Sequence, residues 1–200
     1  MRIGIFGGTF NPPHLGHLLL AQAAAEEAEL DRMIFVPCGI PPHKRSDEIA
    51  SASDRFEMTC RAIADNPDFE ISDIEIKADG LSYTAKTLEK LNELYPNDTL
   101  CFIVGADSLR EMAGWYHPGE IFKRAEIIAA FRGGEDRKDA LTAAYVYIEK
   151  CGARVSCVDM PVVEISSSDI RSRLKSGRSV RYMLPETVAD YIRDNNLYRS

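Results

Sequence analysis

An α/β fold is what this sequence predicts: a doubly wound, mainly parallel sheet with helices on both faces, in one domain over residues 1–200. Three observations predict it. Short β-rich apolar runs alternate with amphipathic stretches, and the first run opens directly into a glycine-proline loop and then a helix. No internal repeat, low-complexity segment or linker breaks the order. With 200 residues, 45% of them apolar and 28% charged, the chain can bury a sizeable core.

Each element follows from its residues. Ile3 to Phe6 reads as a buried strand, followed by a helix running to about Glu29. Met33 to Val36 is the next strand, stopped by Pro37. A Pro- and charge-rich loop from Cys38 to about Ala52 lacks a helical period and is a candidate for movement on binding. Ser53 is the expected N-cap of a helix carrying Phe56, Cys60 and Ile63 on one face. Phe69, Ile71, Ile74 and Ile76 fit a strand or bent hairpin ending near Asp79-Gly80.

Leu88, Leu91, Leu94 and Tyr95 form a helical stripe that ends at Pro96. Leu100 to Val104, Glu126 to Phe131 and Arg154 to Val158 read as further strands, with the clearest intervening helix from Asp136 to Lys150. Pro185 starts a last helix with Val188, Tyr191 and Ile192 on one side. Sheets of this kind bind ligands beyond the carboxyl ends of their strands, near a switch in strand order.

Composition excludes several functions. Against 24 Lys plus Arg stand 31 Asp plus Glu, a net charge of −7, with no long basic block or aromatic-basic interleave. Nucleic acid is therefore not an expected partner. No apolar run approaches the roughly 18 residues needed to cross a bilayer, and the N-terminus lacks a signal peptide's apolar region, so no membrane is expected either. Cys38, Cys60, Cys101, Cys151 and Cys157 are odd in number and have no C-x-x-C spacing. They read as buried reduced thiols of a cytoplasmic protein, with Cys38, in the loop, the candidate for exposure.

Two constellations carry chemistry. The first strand runs into Gly7-Gly8-Thr9-Phe10-Asn11-Pro12-Pro13-His14-Leu15-Gly16-His17. The glycines let the backbone turn and approach a ligand, and a helical first turn puts His14 and His17 on one side with free N–H groups for an anion. This is neither a G-x-G-x-x-G fingerprint nor a P-loop. Either histidine alone reads as a cap or as packing; the pair, directly after a strand and two glycines, reads as a site. Metal ligation by these histidines is not expected, because zinc helices use i, i+4 spacing and a third ligand.

The second constellation is Ile165-Ser166-Ser167-Ser168-Asp169-Ile170-Arg171, hydroxyls and a cation at a helix start. Alone it reads equally as a phosphate site or as a simple N-cap with Arg171 solvated. A triphosphate bound at His17 would need such a cationic partner.

These residues resemble the bacterial nicotinate-nucleotide adenylyltransferase family, and more broadly the H-x-G-H nucleotidylyltransferases. Gly7 to His17 resembles the family's first motif in full, and Ile165 to Arg171 its I-S-S-T-x-I-R motif with Ser168 in place of Thr. Pro41-Pro42-His43-Lys44 resembles a P-P-H-K loop, and Arg55 to Met58 an R-x-E-M helix. Ser82 to Leu88 resembles S-Y-T-x-D-T-L, with Lys86 where Asp is common. Gly105 to Ser108, Trp115-Tyr116, and Tyr182 through Tyr198 complete a likeness that spans the chain.

The resemblance implies a Rossmann-like fold and adenylyl transfer from ATP to nicotinic acid mononucleotide, with Mg²⁺ carried on the ATP phosphates rather than by a protein site. The product would be nicotinic acid adenine dinucleotide, a step in NAD biosynthesis. The acceptor phosphate is already ionised, so neither a general base nor a covalent intermediate is required. His14, His17 and Arg171 are the implied catalytic residues. ATP would also meet Gly7, Gly8, Thr9, Phe10, Gly105, Asp107, Ser166, Ser167 and Ile170. The acceptor would meet Lys44, Tyr83, Thr84, Trp115, Tyr116 and Arg132, with Lys44 and Arg132 at its phosphate and the Trp115 indole on its pyridine ring.

Other readings keep part of this pattern. The acceptor could be the amide mononucleotide or phosphopantetheine, or the chain could be a nucleotide sensor without catalysis. A tRNA-ligase fragment shares an H-x-G-H-like signature, but here the chain is short and acidic and has no K-M-S-K-S. Oligomeric state is not legible.

Overall fold

The computed structural model describes residues 1–42, 49–131 and 134–199. Its elements are β1 (Arg2–Gly8), α1 (Leu15–Glu27), β2 (Arg32–Pro37), α2 (Ala52–Ile63), β3 (Phe69–Ile71), α3 (Thr84–Leu94) and β4 (Thr99–Gly105). Then come α4 (Ala106–Glu111), a single 3₁₀ turn (Met112–Gly114), α5 (Pro118–Arg124), β5 (Glu126–Phe131), α6 (Gly134–Cys151), β6 (Val155–Asp159), α7 (Ser167–Lys175) and α8 (Glu186–Asp194).

The strands form one six-stranded sheet in the order β3-β2-β1-β4-β5-β6. The β1–β4, β4–β5 and β5–β6 pairs are parallel, with Ile3 beside Leu100 and Ile127 beside Val155. This is the doubly wound Rossmann-like order that the alternation of runs predicts, and it reverses between β1 and β4. Central parallel strands are covered on both faces and so read as continuous apolar runs. Met33 to Val36, Leu100 to Val104 and Ile127 to Phe131 are all buried.

The chain forms two compact units. The first comprises Met1–Gly7, Leu20–Ile34 and Tyr83–Val162. Within it the Arg2 guanidinium donates to Glu126 at 2.9 Å and to the Ala28 carbonyl at 3.3 Å, joining β1, β5 and the end of α1. The Tyr147 hydroxyl donates to the Leu109 carbonyl at 2.9 Å and accepts from the Ala113 amide at 3.0 Å, docking α6 onto α4.

The second unit comprises Gly8–Leu19, Phe35–Ser82 and Val163–Ser200. Here α8 lies on α2, with Thr187 Oγ1 donating to the Arg61 carbonyl at 3.0 Å and the Tyr191 hydroxyl to Asp54 at 2.9 Å. Pro185 caps α8, as its position in the sequence predicts.

Several expectations are corrected. The N-cap of α2 is Ser51, not Ser53; Ser51 Oγ accepts from the Asp54 amide at 3.1 Å. The buried face of α2 is Arg55, Met58, Thr59, Ala62 and Ile63, so Phe56 and Cys60 sit beside it rather than on it. Arg55 causes the rotation, because its side chain is drawn inward by main-chain carbonyls. β3 ends at Ile71: the Ser72 amide still bonds the Phe35 carbonyl at 2.9 Å, but Lys77 then bonds back to Asp73 in a turn.

On α3, Leu88 and Leu91 are buried while Leu94 is 63% exposed. Steps of three drift by about 60° each on a helix of 3.6 residues per turn, which carries Leu94 off the face. Of the five cysteines only Cys101 is fully buried; Cys38, Cys60 and Cys157 are half-buried and Cys151 is exposed at the end of α6. Among the described residues no helix is long and apolar enough to cross a membrane.

Candidate active site

The first motif begins where β1 ends. Gly7 and Gly8 close that strand, and neither has a positive φ. The sharp turn falls instead at Phe10, with φ 48°, followed by a cis Asn11-Pro12 peptide. The expectation that the double glycine makes the turn is thus corrected. Gly8 serves another purpose: a Cβ there would lie 2.9 Å from the Phe10 ring, which is only 2% exposed. A side chain at residue 8 would evict that ring.

The Phe10 ring meets His17 edge-on, with centroids 5.1 Å apart. His14 is buried and precedes α1; its amide donates to His17 Nδ1 at 3.1 Å. A third-position side chain reaching back to the N-cap amide is the logic of a capping box, here made by an imidazole. With Nδ1 accepting, the proton of a neutral imidazole at residue 17 sits on Nε2, which is then the ring's donor atom. The two imidazoles stack with centroids 3.7 Å apart and planes inclined by 28°. Gly16 makes this possible, since a Cβ there would stand 3.1 Å from His14 Nδ1 and 3.7 Å from the Ile165 carbonyl.

The start of α1 differs from expectation in one respect. Its Leu15 amide donates to the Met183 carbonyl at 3.0 Å and its His17 amide to the His14 carbonyl at 2.9 Å. Two of the first-turn N–H groups are therefore engaged by the chain itself. The imidazoles, more than the helix amides, are what this segment offers an anion.

Asn11 holds the loop to the far end of the sequence. Its Oδ1 accepts from the Ala50 amide at 3.0 Å and from the Tyr198 hydroxyl at 2.6 Å. Its carbonyl accepts from Arg171 Nη1 at 3.0 Å, and the next carbonyl, Pro12, from Ser167 Oγ at 2.8 Å. Within the second unit, then, Thr9, Phe10, His14, His17, Ser167 and Arg171 are brought together. Ser167 spends its only hydroxyl proton on Pro12, so its side chain fixes the loop and has lone pairs, not a donor, left for a phosphate.

Ser166 caps α7, its Oγ accepting from the Asp169 amide at 3.1 Å, and shares a hydrogen bond with Ser168 at 3.2 Å. Ile170 is fully buried and anchors that helix.

One organising residue was not singled out as a site residue from sequence. Arg55 is 1% exposed and donates to four carbonyls: Thr9 at 3.0 Å, Gly39 at 2.7 Å, Ala50 at 3.1 Å, and Cys38. Burial pulls its guanidinium below the usual arginine range, while Cys38, Tyr198 and Glu75 push the other way. Burial, and next Glu75, push the Cys38 thiol up to about 11.

In the first unit the aromatic residues form a group of their own. Tyr83 and Tyr116 stack with centroids 4.4 Å apart, and Lys86 Nζ lies 5.6 Å from one ring centroid and 5.8 Å from the other. Tyr116 is 43% exposed. Trp115 is half-buried and meets Phe102 edge-on at 6.2 Å. Thr84 is the first residue of α3.

Gly7 has Phe102 at ordinary contact distance, and Gly105, the N-cap of α4, has open space where a Cβ would stand. Asp107 is 88% exposed and pairs with Arg110 rather than capping α4. Lys44 and Arg132, both assigned to the acceptor phosphate, lie outside the described residues. Among the described residues no group of three or more His, Cys, Asp or Glu is placed to hold a metal ion.

Residues 5–173 match the family model described as cytidylyltransferase-like. A protein of Desulfitobacterium hafniense (strain Y51), named probable nicotinate-nucleotide adenylyltransferase, is 45% identical over 198 residues, covering 99% of this chain and 96% of that one. One of the same name from Exiguobacterium sibiricum is 43% identical, covering 99% of each chain. In fold, the chain is similar to the Plasmodium falciparum nicotinic acid mononucleotide adenylyltransferase complexed with NaAD, with a TM-score of 0.81, 21% identity, and coverage of 98% of this chain and 97% of that one. A sequence likeness of this extent, over a sheet of this order and an H-x-G-H turn of this geometry, places the chain in the nicotinate-nucleotide adenylyltransferase family, within the cytidylyltransferase-like proteins.

Proposed function

We propose that this chain transfers AMP from ATP to nicotinic acid mononucleotide, forming nicotinic acid adenine dinucleotide and releasing pyrophosphate. The observation that carries the reading is the imidazole pair, fixed at the start of α1, in the same unit as an Arg171 tethered to the loop that leads into it. Imidazole and guanidinium donors suit phosphate oxygens, and the cationic character of the group suits a leaving pyrophosphate.

A phosphate oxygen of the acceptor attacks the α-phosphorus of ATP as the bond to the β-phosphate oxygen breaks. His17 Nε2 donates to the α-phosphate, with His14 beside it. Arg171 takes the β- and γ-phosphates, and the α7 start supplies main-chain donors at Ser167. ATP would enter as its Mg²⁺ complex, the ion offsetting part of the phosphate charge, while the imidazole and guanidinium groups supply donors to the phosphate oxygens. The proposed compartment is a reducing cytoplasm, in keeping with cysteines whose spacing suggests no disulfide framework.

For the acceptor, the Tyr83–Tyr116 stack offers an aromatic surface, and Trp115 is adjacent in sequence. Helix N–H groups at Thr84 lack partners inside α3 and suit a carboxylate. The Lys86 ammonium beside both tyrosines favours the acid over the amide mononucleotide. The test is product identification after mixing the protein with ATP, Mg²⁺ and each mononucleotide. Dinucleotide and pyrophosphate from the acid form are expected; binding of ATP without turnover would leave a sensor instead. His17→Ala should lower kcat by about two to three decades, the usual effect of losing one positioned donor, with the fold retained. An unchanged kcat would remove His17 from the reaction.

A further inference from the structure

The interactions of Tyr198 belong to the second unit, and none of the roles assigned above uses them. Its hydroxyl donates to Asn11 Oδ1 at 2.6 Å, at the short end for O–H···O bonds. Asn11 is 4% exposed, and the same Oδ1 also accepts from the Ala50 amide, so the side chain is held by two donors from different segments. The main-chain carbonyl of Asn11 is the acceptor for Arg171 Nη1.

Tyr198 itself has φ 61°, in the left-handed region that a bulky residue occupies only when its surroundings impose it. Burial pushes its phenol up, so it remains a protonated donor through the neutral and moderately alkaline range. Arg171 and Arg55 both act on that phenol electrostatically, which places the three groups in one neighbourhood.

We propose that Tyr198 is a positioning residue of the triphosphate cradle, fixing Asn11 so that its carbonyl holds the Arg171 guanidinium where the β- and γ-phosphates lie. The physical reason is rotational. An arginine has long, freely turning torsions, and a single bond to a rigid carbonyl removes much of that freedom before the ligand arrives. The carbonyl is rigid only if Asn11 is, and Asn11 is pinned through its side chain. Tyr198 thus touches no substrate; its effect passes through Asn11 to Arg171. The inference rests on the reading of Arg171 as a triphosphate ligand.

Tyr198→Phe tests it, because it deletes one hydroxyl and keeps the ring. The expected result is a KM for ATP raised about tenfold, with the acceptor KM within twofold of wild type, a single lost hydrogen bond being worth about one decade. In the reverse direction the KM for pyrophosphate should rise by a similar factor. A purely structural role would lower the active fraction, reducing kcat while leaving both KM values in place, and that result would overturn the proposal.

Arg171→Ala, measured in parallel, separates the two levels. If it raises the ATP KM and Tyr198→Phe does not, the positioning role falls and the cradle stands. If Arg171→Ala leaves the ATP KM unchanged, the triphosphate reading itself falls, and the role of Tyr198 with it. The double variant should be little worse than Arg171→Ala alone, since the tyrosine works through that arginine; multiplied losses would overturn the proposal.

Discussion

Replacing Arg55 by leucine would strip a shared donor from four main-chain carbonyls, those of Thr9, Cys38, Gly39 and Ala50. A buried carbonyl left without its donor costs about 1–3 kcal/mol, so the gross loss is about 4–12 kcal/mol. Against this stands relief from holding a desolvated cation, several kcal/mol, the same burial that pulls the Arg55 guanidinium below its ordinary range. Taking the middle of each range, the net expectation is a loss of about 4 kcal/mol, a large share of the roughly 5–15 kcal/mol that stabilises a folded chain.

At about 2–4 °C per kcal/mol for a chain of this size, the melting temperature should fall by roughly 10 °C, and the urea midpoint should fall with no change in slope. Arg55→Lys, which keeps the charge and up to three donors, should lose about half as much. A leucine variant within 1 kcal/mol of wild type would refute the reasoning, because it would mean that solvent replaces the guanidinium at those carbonyls.

Three further outcomes follow from the geometry. Gly16→Ala should push the His14 ring aside by a few tenths of an ångström and lower kcat about tenfold, while helix propensity keeps melting within a few degrees; a crystal structure with the imidazole stack unmoved would count against it. Ser51→Ala removes the α2 cap and should cost about 1 kcal/mol, read as a drop of 2–4 °C in calorimetry, whereas Ser53→Ala should cost far less. Cys38, with its thiol raised from 9.0 to about 11, should carry about a hundredfold less thiolate at pH 8 than an ordinary thiol; its alkylation should stay slow up to about pH 10, while exposed Cys151 reacts promptly. Because the folded thiol holds its proton more tightly than the unfolded one, its contribution to stability is complete below about pH 9 and is lost as pH climbs toward 11. Equal labelling of the two cysteines at pH 8 would contradict the burial that raises Cys38.

Much of the fold was legible because parallel strands are apolar throughout. Glu126 to Phe131 is a strand at those very bounds, and the strands at Ile3, Met33 and Leu100 differ from expectation by one or two residues at their ends. Legibility failed where local chemistry competes with pattern. Ile74 and Ile76 continue an apolar alternation, yet Ser72 and Asp73 form a turn that takes the backbone out of the ladder. Ser53 has the residue type of a cap, but the Asp54 amide bonds Ser51 Oγ and so sets the cap two residues earlier.

In the site, the sequence points to the glycines for the turn, glycine being the usual left-handed residue; Phe10 adopts that conformation instead, its ring buried against His17 and Phe35. Arg55 stands between Asp54 and Phe56-Glu57, a setting that reads as a solvated helix face. The carbonyls that draw it inward belong to segments up to 46 residues away, a distance no periodicity records. Tyr198 stands out in sequence only within the resemblance over Tyr182 through Tyr198, for the same reason.

The Leu15 amide closes on Met183, and Asn11 on Tyr198, so the H-x-G-H turn is finished by the Val163–Ser200 segment of its unit. Both histidines thus depend, for the shape of their turn, on a segment that contributes no strand to the sheet. A variant truncated before residue 183 should therefore keep its sheet and lose the ordered turn, and full activity in such a variant would contradict that dependence.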